Sequence, residues 1–267
     1  MSTGVAFSIY GRTFTEVEFL VGWVYQIDNF KKSIKTFRLE LIDIDVLFAH
    51  IVERTAALGF DFASFGMQMP LPLNNPKIVT RNNYDPEWWN VYLKNNYFQI
   101  DPVVIHVRTS DEAAVWSDNF FSAQPKFWEH AQSFGLRYGW TKATRSSVGT
   151  MSQLSFSRRE NPLSEQELLL KESAMIDLAD LAHLHMTECF VLEQFPESKT
   201  ELSQRERDVI RWCADGKTNA EIAMILNIST SSVNFHVLNF IKKLDASNKT
   251  HAVMKAASFG LLGRPGG

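Results

Sequence analysis

Apolar residues recur at helical spacing from Ile42 to Leu58, which predicts an amphipathic helix there. Phe60–Met69 and Ile78–Arg81 read as strands joined by the turn-rich stretch Pro70–Pro76. Pro86–Asn96 reads as a helix with proline near its first turn, and Phe127–Phe134 as another that stops at Gly135. Tyr138–Thr144 and Met151–Arg158 carry strand patterns. A long helix then opens at Ser164, where Ser164 and Glu167 have capping-box spacing, and apolar residues continue to about Val191. Strands between flanking helices predict an α+β fold, an α-β-α sandwich around a central antiparallel sheet.

The polar segment Glu193–Glu201 contains Pro196 and reads as a linker. Beyond it the pattern is entirely helical. Ser203 and Glu206 are spaced as a capping box, followed by Val209, Ile210, Trp212 and Cys213 on the inward face, with a stop at Gly216. Thr218 and Glu221 repeat the device ahead of Ile222, Ala223, Ile225 and Leu226. Asn227 and Ile228 make a turn, and Thr230 or Ser229 caps a third helix carrying Val233, Val237, Phe240, Ile241 and Leu244. Asn248 caps a fourth helix ending near Gly260. The expected organisation is therefore an N-terminal extension over residues 1–40, an α+β domain over 41–192, the linker over 193–201 and a small all-α four-helix domain over 202–267.

The short connection between the second and third of these helices is that of a helix-turn-helix, whose second helix lies in the major groove of double-stranded DNA. On that helix Asn234 is placed to read a base edge, and Phe235 and Leu238 to touch thymine methyls. Ser231, Ser232, Lys217, Lys242, Lys243 and Lys249 suit phosphates, which position a protein without reading sequence. Thr218 and Thr230, at the starts of the two helices, belong to the same candidate interface.

Charge adds modest support. Residues 201–267 hold nine Lys or Arg against six Asp or Glu, a balance of +3 within a chain of net charge −3. A basic end on an acidic body suits contact of that end with a polyanion. The apolar runs, such as Phe19–Tyr25, are too short to cross a bilayer, and Met1–Tyr10 lacks the pattern of a signal peptide. Cys189 and Cys213 have no metal or redox spacing and read as buried apolar side chains. A cytoplasmic protein without membrane contact is expected. His183 and His185 lie two apart on a helix, so they face apart and read as helix-surface or interface residues rather than metal ligands. Lys31, Lys32 and Lys35 read as a solvated face.

In order along the chain, Leu202–Glu206, Gly216–Thr218, Glu221–Ala223, Leu226–Ser229, Val233–His236, Asn239, Lys243–Leu244, Asn248–Lys249 and Ala252–Val253 resemble the LuxR-type helix-turn-helix. Leu238 departs from the pattern, being apolar where many relatives are polar or basic. Tyr84, Trp88, Tyr92, Asp101–Pro102, Trp116, Gly139, Thr141 and Ser155 resemble, with matching intervals, the autoinducer-binding domain of quorum-sensing LuxR-type regulators. No receiver-like βα alternation and no phosphate-binding loop offers another input.

The resemblance implies a transcriptional regulator that binds an N-acyl-homoserine lactone and, as a homodimer, promoter DNA; it implies no cofactor, no metal and no catalytic residues. RNA polymerase is a further candidate partner. Chemically, the indole N–H of Trp88 can donate to the lactone carbonyl and the phenol of Tyr92 to the amide carbonyl, while an ionised Asp101 can only accept, as the ligand's N–H requires. Trp116 offers a flat wall, Thr141 and Ser155 polar contacts, and Tyr84 a lining for the tail. Trp89 is as good a neighbour of Tyr92 as Trp88 is, and only the family spacing selects Trp88. A non-lactone signal, or action without ligand, is the alternative. An enzyme is disfavoured, because neither an H-x-H-x-D-H pattern nor a G-x-S-x-G elbow occurs. Surplus apolar residues on the long helix (Leu168, Leu169, Leu170, Met175, Ile176, Leu178, Leu181, Leu184 and Met186) mark it as a dimer contact, with the fourth helix of the DNA module as a second.

Overall fold

The computed structural model describes residues 7–9, 12–14, 43–146 and 150–263. Of the N-terminal extension only a short antiparallel hairpin is described, β1 (Phe7–Ile9) with β2 (Arg12–Phe14). The run Phe19–Tyr25 and the Lys31, Lys32 and Lys35 cluster lie outside the described residues. The chain divides into two compact units. The first ends at Cys189, and the second holds the residues from Phe190 onward together with Gln68–Val79 and Ser146–Thr150.

After the hairpin, the elements up to the long helix, most of whose residues fall in the first unit, follow the order α1 (Ile44–Ala57), β3 (Phe62–Gln68), β4 (Ile78–Asn82), α2 (Pro86–Lys94), α3 (Pro102–Thr109), β5 (Ala114–Val115), α4 (Pro125–Ser133), β6 (Tyr138–Arg145), β7 (Met151–Arg158) and α5 (Glu165–Gln194). Their five strands form an antiparallel sheet in the order β4-β3-β7-β6-β5. Thr141 stands opposite Ser155, and Gly139 opposite Ser157. Alternation along a strand sends successive side chains to opposite faces. Trp140 stacks on Phe156 and donates to Glu172 (3.3 Å), Thr144 donates to Asp180 (3.1 Å) and Ser152 bonds His183 (2.8 Å), so these turn to α5. Thr141 and Ser155 turn to the other face, which α2, α4 and the start of α3 close.

Two short elements escaped the sequence pattern. Helix α3 is rich in β-branched residues, yet Pro102 opens it and Asp101 caps it, accepting from the Val103 amide at 2.8 Å. Strand β5 has only two residues and borrows its pairing from β6.

At the start of α5, Ser164 accepts from the Glu167 amide (3.1 Å), but Glu167 does not close the expected capping box. Its carboxylate instead takes two bonds from Arg158 (2.6 and 2.9 Å) and one from Lys171 (2.8 Å). Burial pushes this carboxyl up, and the two cations overcome that, holding it below the usual carboxylate range. Met175, Leu178, Leu181 and Met186 are core, whereas Leu169 and Leu184 are exposed. His185 is buried rather than on the surface, because its side of the helix faces inward; His183, two residues away, instead reaches Ser152. Helix α5 extends to Gln194 and a 3-10 turn spans Pro196–Lys199, so much of the expected linker is ordered.

The second unit contains α6 (Gln204–Ala214), α7 (Asn219–Leu226), α8 (Thr230–Lys243) and α9 (Lys249–Ser258). Both capping boxes are formed, at Ser203 with Glu206 and at Thr218 with Glu221. Asn227 adopts a left-handed conformation (φ 51°) that ends α7 and makes the turn. Ser229, not Thr230, is the N-cap of α8. Val209, Ile210, Ile222, Val233, Phe240, Leu244 and Ala252 are fully buried together. Ile225, expected inward, is exposed, and Cys213 is half-buried rather than buried.

Candidate functional site

Trp88 and Tyr92 share one face of α2 and are both buried. The phenol of Tyr92 donates to Asp101 Oδ2 at 2.8 Å, while Asp101 Oδ1 accepts from the Val103 amide. Burial pushes the Asp101 carboxyl up to about 6 even though Tyr92 and the Val103 and Val104 amides pull it down. Burial, reinforced by the Asp101 charge, drives the Tyr92 phenol above its ordinary value. Tyr84 is raised too, chiefly by burial, with the Ser64 and Ser157 hydroxyls beside it.

Tyr84, Trp88, Tyr92 and Asp101 line a partly open recess, together with Val103, Trp116, Phe121, Phe127, Trp128, Ala131 and Leu136. Trp89 stacks on Tyr92 (5.3 Å between ring centres) but does not line the recess, which separates it from Trp88. Trp116 lies flat over Gly139, where a Cβ would come within 2.4 Å of the indole. Its N–H donates to Thr141 Oγ1 (3.0 Å), which donates in turn to Ser155 Oγ (2.8 Å). Thr141 and Ser155 thus support the Trp116 wall from beneath rather than lining the recess. Two residues beyond Ser155, the buried Ser157 hydroxyl lies beside the Tyr84 phenol. Val103, Phe121, Phe127, Trp128, Ala131 and Leu136 were not expected in the site; the rings of Phe121 and Trp128 stack at 4.0 Å. Their only signal was the aromatic density between Phe120 and Phe134.

In the second unit, Ser231, Asn234, Phe235, Leu238 and Lys242 are all exposed on α8, opposite its buried Val233, Val237 and Phe240. Thr230 is exposed at the start of that helix, and Ser232 is half-buried, bonded to the cap Ser229. Lys217 is half-buried and Thr218 is held by its capping partner Glu221. Lys243 pairs with the buried Glu206 at 2.8 Å. Lys249 reaches back to Asn219 (3.3 Å), and Asn219 donates to Asn234 (2.7 Å). Among the described residues no cluster of His, Cys, Asp and Glu could hold a metal, and no helix is long and apolar enough to cross a membrane.

Residues 43–186 match the model of the autoinducer binding domain, and residues 200–256 match that of bacterial regulatory proteins of the luxR family. The chain belongs to the LuxR family. This LuxR-family chain is 34% identical to the transcriptional activator protein AnoR of Acinetobacter nosocomialis, over 88% of its own length and all of AnoR. It is 35% identical to the quorum-sensing regulator RhlR of Pseudomonas aeruginosa, over 82% of this chain and 91% of RhlR. The crystal structure of Escherichia coli SdiA superposes with a TM-score of 0.73 at 32% identity, covering 92% of this chain and all of SdiA. A second SdiA structure, in complex with octanoyl-rac-glycerol, superposes with a TM-score of 0.71 at 31% identity, covering 93% of this chain and 98% of that one. The LuxR-family chain is accordingly a transcriptional regulator with an autoinducer-binding domain and a helix-turn-helix, not an enzyme.

Proposed function

We propose that this regulator binds an N-acyl-homoserine lactone in the Trp88–Asp101 recess and, as a homodimer in the cytoplasm, controls transcription by placing α8 in the major groove of promoter DNA. The carrying observation is Asp101: a buried carboxylate lining an aromatic recess accepts hydrogen bonds but is short of charge-stabilising partners. An amide N–H of a ligand supplies one. The Trp88 indole, with no hydrogen bond among the described residues, is the donor for the lactone carbonyl. Tyr92 is already bonded to Asp101, so Tyr84, which lines the same recess, takes over the amide carbonyl. Trp116, held by Thr141 and Ser155, walls the ring. A largely apolar pocket with a few fixed polar groups suits such a signal.

Ligand binding stabilises the folded sensor by mass action. Exposed Leu169 and Leu184 on α5 are the dimer surface, with α9 as a second contact, and RNA polymerase is the partner through which an activator would act. DNA is held by Lys217, Thr218, Thr230, Ser231, Ser232, Lys242 and Lys249 and read by Asn234, Phe235 and Leu238. The structure of SdiA with octanoyl-rac-glycerol favours one second reading, an acyl ligand without the lactone ring.

The test is to express the full chain with a panel of acyl-homoserine lactones and acyl glycerols, then identify the organic extract by mass spectrometry and record thermal shifts. Retention of a lactone with a raised melting temperature is expected. Retention of acyl glycerols alone, or of nothing, overturns the lactone assignment.

A further inference from the structure

We propose that Asn219 fixes which way round the Asn234 amide faces, so that Asn234 offers DNA a donor and selects a keto base, guanine or thymine. The inference rests on the reading of α8 as the groove helix and deepens it.

A lysine ammonium carries three donors and no acceptor. Lys249 Nζ lies 3.3 Å from the Asn219 side chain, so the Asn219 oxygen must face it. The Asn219 amide nitrogen is thereby turned the other way, and it meets Asn234 at 2.7 Å. Two amide nitrogens cannot share a hydrogen bond, so Asn234 must present its oxygen to Asn219. Its own NH2 group is left at the exposed face of α8, beside Ser231, Phe235 and Leu238. The three residues come from the starts of α7 and α9 and from within α8, so the relay is built by the tertiary fold of the module.

An asparagine free to turn pairs bidentately with adenine, giving and taking one hydrogen bond. With its oxygen turned inward, Asn234 can only give. Guanine offers O6 and N7 as acceptors in the major groove and thymine offers O4; adenine offers N7 too, but its neighbouring N6 donor then meets no acceptor on Asn234, and cytosine offers only its N4 donor. Asn219 is therefore a positioning residue that acts through Asn234 and touches no base itself.

Asn219→Asp reverses the relay. The new carboxylate still pairs with Lys249 but has only acceptors, so Asn234 must turn its NH2 toward it and expose its oxygen. An acidic group in the first turn of α7 suits the helix dipole, so folding is kept. The experiment selects binding sites from randomised duplex DNA with the full-length chain, supplied with signal wherever the wild type requires it. Wild type, Asn234→Ala, Asn219→Asp and Asn219→Ala are compared. Asn234→Ala should flatten base preference at one symmetry-related pair of positions. Asn219→Asp should move preference at those positions from guanine or thymine toward cytosine or adenine, by about tenfold in the ratio, the size of one good base contact. Asn219→Ala, which frees the amide to turn, should accept both classes.

If Asn234→Ala flattens those positions while both Asn219 variants keep the wild-type preference, or only weaken all sequences equally, the orientation is overturned. If Asn234→Ala alters no position, the groove reading itself fails.

Discussion

The phenolic hydrogen of Tyr92 is bonded to Asp101 at 2.8 Å, and both side chains are buried. Neither group is independent of the other. Tyr92→Phe takes one donor from a buried carboxylate, and Asp101→Asn leaves a single oxygen to serve two donors, the phenol and the Val103 amide. Unfolding by urea should show the two substitutions coupled by about 0.5–3 kcal/mol in a double-mutant cycle, the range for residues in one hydrogen-bond network. Simple additivity would mean that the pair does not act as a unit.

Asp101 also sets a pH dependence. Its folded pKa of about 6 lies above the ordinary 3.8, so its contribution is fully present below 3.8 and is lost as pH rises through about 6. Unliganded wild type should therefore lose stability relative to Asp101→Asn across this window. The same substitution should abolish most of the signal response at neutral pH while melting stays cooperative. A dose response like that of wild type would remove Asp101 from the head-group site.

Glu167 is expected to behave oppositely. Its carboxyl is held low by Arg158 and Lys171, so its contribution is present at neutral pH and fades on acidification through the carboxylate range. Glu167→Gln removes the carboxylate charge shared by two largely buried cations and should cost about 3–5 kcal/mol in chemical denaturation.

Gly139→Ala tests the wall of the recess. The added Cβ would lie 2.4 Å from the Trp116 ring and 2.7 Å from the Phe156 carbonyl oxygen. Trp116 must move, and overpacking of this kind costs about 1–3 kcal/mol. A changed tryptophan fluorescence and a weakened ligand response should accompany the lower melting temperature.

Two adjacent lysines separate DNA contact from folding. Lys242 is exposed, so Lys242→Met should leave melting unchanged and lower the salt dependence of DNA binding by about one phosphate contact. Lys243 neutralises the buried Glu206, so Lys243→Met should destabilise the chain at any salt concentration. Equal behaviour of the two variants would refute the assignment.

The helices of the second unit were legible because each carries its own local stop and start. Ser203 with Glu206 and Thr218 with Glu221 act within one turn and need no tertiary partner. The polarity of the first unit was legible only in part. Trp88 and Asp101 could be chosen only through the family resemblance, and the partner of Tyr92 lies nine residues away and that of Trp116 twenty-five, both brought close only by folding. Local spacing likewise misassigned Glu167, because Arg158 and Lys171 outbid the backbone amide that a capping glutamate would seek. Helix α3 was missed because its β-branched Val103, Val104, Ile105 and Val107 are weak helix formers, and strand β5 because two residues display no period.

Strand β7 is a partition wall between two separate tasks. Its even-numbered positions, Ser152 to Arg158, fasten the long helix, and its odd-numbered neighbours Ser155 and Ser157 look toward the signal chamber. Substitution at an odd position can retune what the chamber accepts without loosening the scaffold behind it. Deleting one residue from the strand would exchange the two sides at once, carrying the guanidinium of Arg158 into the chamber and serine hydroxyls against the helix.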